Sequence, residues 1–178
     1  MHVDISPVVD PEAAAQLSAI GRQSFIDAFG ELYSSDDLEA FLSSSHSVDV
    51  YERLITDPLS HVWLAETETG DAVGYATAGP CDLPVPSMPE KAGELQRLYL
   101  LAGRQSAGVG SRLLTTALDW LDTHFEHVFL GVYYENAGAQ RLYRRFGFEK
   151  IAEYEFMVGT HADPEWIMQR VSRPRQDV

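Results

Sequence analysis

The chain has 178 residues, a hydrophobic fraction of 45% and a formal net charge of −14 at neutral pH, which suits one domain with a sizeable core. No apolar run approaches the ~18 residues of a membrane span, the first residues lack the basic and apolar regions of a secretory signal, and the one cysteine, Cys81, can neither close an internal disulfide nor build a metal site alone. These features predict a cytoplasmic protein with no membrane partner and no metal. Residues 1–92 hold 16 acids and 3 bases, while 93–178 hold 11 acids and 10 bases. The first half would repel nucleic acid and attract cations, and the second half suits an anionic ligand.

In chain order, His2–Val8 reads as a short strand. Asp10-Pro11 is an N-cap followed by proline at the first helical position. Apolar residues at 17, 20, 25, 28 and 29 continue a helix to Phe29, where Gly30 ends it. Ser35-Asp36-Asp37 opens a second helix to about Leu42. Ser47 caps a third through Ile55, ahead of Pro58. The period then changes to that of strands: His61–Thr67 and Ala72–Ala78 form a hairpin about Thr69-Gly70-Asp71. Four prolines between Pro80 and Pro89 make a loop. Glu94–Leu101 is a strand, Ser111–Phe125 an amphipathic helix, His127–Tyr133 a strand, and Ala137–Phe146 a helix ended by Gly147. Phe148–Phe156 and Glu165–Val171 are two last strands, linked through Val158–Asp163. This order predicts an α/β (α+β mixed) fold: one mixed sheet of about seven strands with helices on both faces. A single domain spans 1–172, with a disordered tail at 173–178.

The segment Gln105-Ser106-Ala107-Gly108-Val109-Gly110 lies between the strand and the helix. Such an order aims backbone N–H groups and a helix N-terminus at one point, a seat for phosphate or pyrophosphate. Glycines at 108 and 110 permit close approach and a tight turn. A dinucleotide-binding loop would need a third glycine where Leu113 stands, and a P-loop would need lysine after Gly110, which Ser111-Arg112 does not supply. An ordinary glycine turn before a helix is the remaining alternative. The loop resembles the Q/R-x-x-G-x-G/A pyrophosphate loop of the GNAT acyl-CoA N-acyltransferases. A second segment, Asn136-Ala137-Gly138-Ala139-Gln140-Arg141-Leu142-Tyr143-Arg144-Arg145-Phe146-Gly147-Phe148, is similar to that family's N-x-x-A-x-x-x-Y-x-x-x-G-F ending. The resemblance is strong over 94–150.

The resemblance implies a mostly antiparallel sheet and transfer of an acetyl group from acetyl-CoA to a primary amine by direct attack. It implies that the strands on either side of the loop and its helix splay apart. The pantetheine arm would then bond main-chain groups of Leu98, Tyr99 and Leu100. The pyrophosphate would meet Arg104, Gln105, Ser106, Ala107, Gly108, Val109, Gly110 and Ser111. Asn136, Ala139 and Tyr143 would complete the cofactor side, with Asn136 either capping its helix or bonding the pantetheine. Tyr143 at the family's tyrosine position would be the general acid, protonating the leaving thiolate; spacing alone would make it a core residue. Glu94 is the candidate general base, directly or through water, and strand alternation places it on one face with Gln96, Leu98 and Leu100. Cys81 has no neighbour that would activate it.

The acceptor side, formed in this fold by the first two helices and the proline-rich loop, carries Asp27, Glu31, Asp36, Asp37, Glu39, Asp82 and Glu90 against Lys91. That field suits a small cationic, polyamine-like acceptor. The stretch from Phe25 to Tyr33, with Asp37-Leu38, is loosely similar to bacterial spermidine/spermine N-acetyltransferases. A protein N-terminus or lysine as acceptor, and a non-catalytic acyl-CoA sensor, are the alternatives. A homodimer is left open.

Overall fold

A computed structural model describes residues 2–103 and 108–171. Arg104, Gln105, Ser106 and Ala107 of the expected pyrophosphate loop, and the expected tail at 173–178, lie outside the described residues. The elements run β1 (Val3–Pro7), α1 (Ala14–Phe29), α2 (Ser35–Ser45), α3 (Val48–Thr56), β2 (His61–Thr67), β3 (Ala72–Pro80), β4 (Ala92–Leu100), α4 (Val109–His124), β5 (His127–Tyr133), α5 (Ala137–Arg145), β6 (Glu149–Val158) and β7 (His161–Val171). The strands form one sheet in the order β1-β2-β3-β4-β5-β7-β6. Every pairing is antiparallel except β4 with β5.

Local chemistry starts α2, α3 and α5 where expected, while α4 starts at Val109, two residues before the expected Ser111. The Asp10 carboxylate accepts from the Glu12 N–H at 3.0 Å, ahead of a short 3-10 turn over Pro11–Ala13 that precedes α1. Ser34 caps α2, Ser47 caps α3, and Asn136 caps α5 by accepting from the Ala139 N–H at 3.1 Å. Helix α2 runs on to Ser45, one turn beyond the expected end, because Phe41 and Leu42 are buried against Phe25 and Val158.

The sheet is covered on both faces. On one, α4 lays Leu113, Leu114, Ala117, Leu118 and Leu121 against Leu95, Val128, Leu130 and Met168, and Tyr143 of α5 joins the same cluster. On the other, Leu17 and Ile20 of α1 and Tyr51 of α3 cover Leu64 and Tyr75. Each fully buried leucine contributes roughly 1.5–3 kcal/mol, so these two layers fix which way every strand faces.

Two details of the strands differ from expectation, and both bear on the site. First, β7 begins at His161, not at Glu165, because β6 and β7 join through the two-residue turn Gly159-Thr160, with Val158 opposite His161. Gly159 has φ +58°, a left-handed conformation that glycine adopts without penalty. Asp163 is therefore a strand residue. Second, β4 carries a bulge: Thr77 opposes Arg97 while Ala78 opposes Leu95, so Gln96 is an extra residue. The expected shared face of Glu94, Gln96, Leu98 and Leu100 is thus broken. Leu95, Leu98 and Leu100 face α4. Tyr99 packs on the opposite side, among the clusters under α1, α2 and α3, and alternation on either side of the bulge puts Glu94 and Arg97 there with it.

Candidate active site

Strands β4 and β5 are paired over three positions only, Ala92 to Glu94 against His127 to Phe129. Beyond that point they part, and the backbone edges of Leu98, Tyr99 and Leu100 on one strand and of Gly131 to Tyr133 on the other lose each other as partners. A cavity of about 370 Å³ occupies the gap, reaching from Glu94 past Asn136, Ala139 and Tyr143 to the aromatic side chains of α1 and α2. An extended ligand with amide groups fits such unpaired edges as an added strand would.

Among the described residues four carboxylates line this cavity, Asp82, Glu94, Asp163 and Glu165, against one guanidinium, Arg97. Glu94 is 9% exposed. Its Oε2 accepts from the Asp82 N–H at 2.9 Å, which ties the proline-rich loop to β4. Burial raises its pKa, partly offset by hydrogen bonds from the loop. Glu165 reaches the cavity from β7. Its Oε2 accepts from the Tyr154 hydroxyl at 2.5 Å. Burial, with the charges of Asp163 and Glu94, pushes its pKa up to about 7. Asp163 accepts from the Tyr33 hydroxyl and lies 3.1 Å from the His161 ring.

Gly131 of β5 makes room for this arrangement. A Cβ there would stand 2.7 Å from the Tyr154 hydroxyl oxygen and 2.8 Å from Glu165 Oε2, so only glycine lets the two polar ends lie over β5. The aromatic wall is held from behind by the α2 N-terminus. Asp37 accepts from both the backbone N–H of Thr160 at 2.6 Å and its hydroxyl at 2.9 Å, fastening α2 to the β6–β7 turn.

Tyr143 is 7% exposed and lines the cavity. Its ring meets Phe148 edge-on at 6.0 Å. Among the described residues its hydroxyl has no hydrogen-bond partner. Burial and the Glu165 charge raise its pKa well above the ordinary tyrosine value, so it is fully protonated at neutral pH. Arg97 donates through Nη2 to the Ser45 carbonyl at 2.7 Å and lies 5.1 Å from the centre of the Tyr51 ring. Its Nη1 is buried without a hydrogen-bond partner among the described residues. Cys81 is pushed up to about 12, first by burial, which leaves it protonated and a poor nucleophile.

At the cofactor end, Gly108 has φ +71° and precedes α4 with no side chain capping the helix. Among the described residues no side chain caps the first N–H groups of α4, at Val109, Gly110 and Ser111, and with the helix dipole they suit an anion. A Cβ on Gly110 would press on Leu100 at 3.2 Å, so this glycine serves helix–strand packing. Asn136 spends its carbonyl oxygen on the α5 cap. The unpaired strand edges and the uncapped helix start are the features a CoA thioester needs, and these residues fit it. Among the described residues no cluster of His, Cys, Asp and Glu is arranged to hold a metal, and no helix is long and apolar enough to cross a membrane.

The acids assigned by sequence to the acceptor side behave differently. Of Asp27, Glu31, Asp36, Asp37, Glu39, Asp82 and Glu90, only Asp82 lines the cavity. Asp37 is used by Thr160, Glu39 by Arg22 and Ser43, and Lys91 by Glu126. The cavity's charge comes instead from β4 and β7. Glu165, Asp163 and Tyr154 are site residues that the sequence does not mark, while Tyr33 lies in the stretch expected on the acceptor side. The alternation Asp163, Glu165, Ile167 was the available signal, hidden because Asp163 was placed in a linker.

Comparison with known proteins agrees with this geometry. The family model described as acetyltransferase (GNAT) family matches residues 24–148. An uncharacterised N-acetyltransferase of Mycobacterium tuberculosis is 29% identical over 161 residues, covering 88% of this chain and 96% of that protein. The PaiA N-acetyltransferase of Thermoplasma acidophilum, solved in complex with coenzyme A, has a TM-score of 0.73 at 18% identity, covering 96% of this chain and 99% of that one. A Salmonella typhimurium protein solved with its cofactor acetyl-CoA has a TM-score of 0.66 at 19% identity, covering all of this chain and 98% of that one. With the family match running from within α1 to the end of α5, through the parted strands and both glycine-bearing segments, the chain belongs to the GNAT family of N-acetyltransferases.

Proposed function

We propose that the acceptor is a small cationic amine and that the reaction is direct attack of its nitrogen on the thioester carbonyl of acetyl-CoA. The observation that carries this reading is the cavity itself, which among the described residues is lined by four carboxylates and one guanidinium where β4 and β5 part. Its acceptor side is lined by Phe25, Phe29, Tyr33 and Phe41, and Asp37 ties α2, which carries Phe41, to the β6–β7 turn. An acidic cavity walled by aromatic rings favours a small ammonium.

The uncapped start of α4, with the loop preceding it, holds the pyrophosphate. The main chain of Leu98, Tyr99 and Leu100 holds the pantetheine arm and offers donors to the thioester oxygen as it gains charge. Glu94 takes a proton from the acceptor ammonium, directly or through water; its burial makes it a better base than an exposed carboxylate. Tyr143 gives its proton to the departing thiolate. The protonated hydroxyl, without a hydrogen-bond partner among the described residues, is suited to this.

The test is free CoA release from acetyl-CoA with polyamines, amino acids, aminoglycosides and N-terminal peptides, beside calorimetric binding of acetyl-CoA. Turnover confined to di- and polyamines is the expected result. Turnover on peptides alone would overturn the small-acceptor reading, and binding with no turnover on any amine would favour a sensor.

A further inference from the structure

The proposed reaction takes two protons from nitrogen and places one on sulfur. The ammonium loses its first proton before attack. The nitrogen becomes cationic again as the C–N bond forms, and it loses a second proton as the C–S bond breaks. The thiolate takes its proton from Tyr143, which must then be restored. One base and one acid leave Tyr143 as a phenolate and the second proton without a destination.

We infer that Glu165 is a second catalytic carboxylate, which takes the proton from the nitrogen of the tetrahedral intermediate and passes it back to Tyr143. The inference rests on the proposed acetyl transfer and adds the missing half of its proton traffic. The balance is closed: the first proton leaves through Glu94, the second goes to Glu165 and then to the Tyr143 oxygen, and the Tyr143 proton goes to sulfur. No oxidant or other reactant enters.

Four observations place Glu165 in this role. It lines the same cavity as Tyr143, from the strand on the far side of β5. Gly131 lets its carboxylate lie over β5 toward the gap, since a Cβ at that position would stand 2.8 Å from Oε2. Apart from burial, the Glu165 charge is the influence that reaches the Tyr143 hydroxyl. Finally, Glu94 and Glu165 are held differently. Glu94 is fixed by the backbone of the proline-rich loop, whereas Glu165 is held by the Tyr154 hydroxyl. The titratable groups facing Glu165 are Tyr154 from β6, Asp163 from its own strand, its cross-strand neighbour Tyr133 from β5, Glu94 and Tyr99 from β4, Tyr143 from α5, and Tyr33 from the segment between α1 and α2. Two of these are carboxylates and none is a cation, so the Tyr154 hydrogen bond is what favours the ionised form against them. Its pKa of about 7 matches a group that must take and return a proton within one turnover.

The experiment is the pH profile of kcat for the wild type, Glu165→Gln and Tyr154→Phe with the amine found in the panel, beside calorimetric binding of acetyl-CoA. In the wild type, kcat rises with pH through about 7, the value of Glu165. Glu165→Gln keeps an acceptor for the Tyr154 hydroxyl, so acetyl-CoA binding is retained. Its kcat falls about 100-fold, the lower end of the range for a positioned proton transfer, and the limb near neutrality is lost. Tyr154→Phe removes the hydrogen bond that favours the ionised form, so the limb moves to higher pH with only a modest loss of kcat. A merely structural role would lower stability or binding without moving the limb. An unaltered limb and kcat in Glu165→Gln would overturn the inference while leaving the acetyl transfer standing. A wild type that acetylates no amine would overturn both.

Discussion

Replacing Tyr143 with phenylalanine separates chemistry from packing. The ring is 7% exposed and meets Phe148 edge-on at 6.0 Å, and phenylalanine preserves both features. The hydroxyl has no hydrogen-bond partner among the described residues, so its removal orphans no group. Stability is therefore expected to stay within ~1 kcal/mol of wild type, the scale of one ordinary hydrogen bond. Acetyl-CoA affinity is expected to be unchanged as well. The rate should behave differently, because a positioned proton donor is worth about 10²–10⁴, or about 2.7–5.4 kcal/mol at 1.36 kcal/mol per tenfold. The assay is steady-state CoA release with calorimetric acetyl-CoA binding and thermal unfolding on the same preparation. Tyr143→Ala is the packing control: loss of the ring should cost ~3–5 kcal/mol of stability. A Tyr143→Phe enzyme with kcat within about threefold of wild type, far under the range for positioned proton transfer, would refute the acid assignment and return Tyr143 to the core.

Gly108→Glu should bind acetyl-CoA at least ~10-fold more weakly, about 1.4 kcal/mol: the new carboxylate occupies the α4 N-terminus, and the left-handed backbone at φ +71° adds roughly 1–2 kcal/mol of strain. Equal affinity would show that the cofactor phosphates sit elsewhere. Gly21→Ala should cost ~1–3 kcal/mol of stability, the cost of overpacking, read as a lower urea midpoint, because its Cβ would stand 2.1 Å from the Tyr51 hydroxyl oxygen and 2.7 Å from His46 Nδ1. An unchanged midpoint would mean that the His46–Tyr51–Tyr75 chain of hydrogen bonds can move aside at no cost. His46 is pushed down to about 3 by burial, while the unfolded chain protonates it near 6.5. The unfolded state thus binds more protons between those values, and stability present above pH 6.5 is lost as pH falls toward 3. His46→Gln should flatten that slope between pH 6.5 and 5, and an identical slope in the variant would assign it to other groups.

Much of the fold is legible in short stretches of sequence. Asp10, Ser34, Ser47 and Asn136 sit at helix starts because their side chains bond the next turn's N–H groups. The apolar stripe of α4 follows a 3.6-residue period that only a sheet-covering helix satisfies. Gly108 marks a left-handed turn that few other residues tolerate. Tyr143 and Glu94 both reach the cavity from the elements expected for them.

What stayed hidden depends on partners far along the chain. The bulge at Gln96 shows only in the pairing of β3 with β4, where the register shifts by one residue. That single insertion turns Glu94, Arg97 and Tyr99 to one face and Leu98 and Leu100 to the other, which alternation read along β4 alone cannot reveal. Asp37, free in the sequence, is consumed by Thr160, whereas Asp163 and Glu165 enter the site because a two-residue turn at Gly159 extends β7 and a missing side chain at Gly131 leaves them space. The sequence by itself determined the order of elements, their caps and the family. The tertiary structure alone decided which carboxylates share the cavity, because charge is carried by residues but its meeting place is set by register.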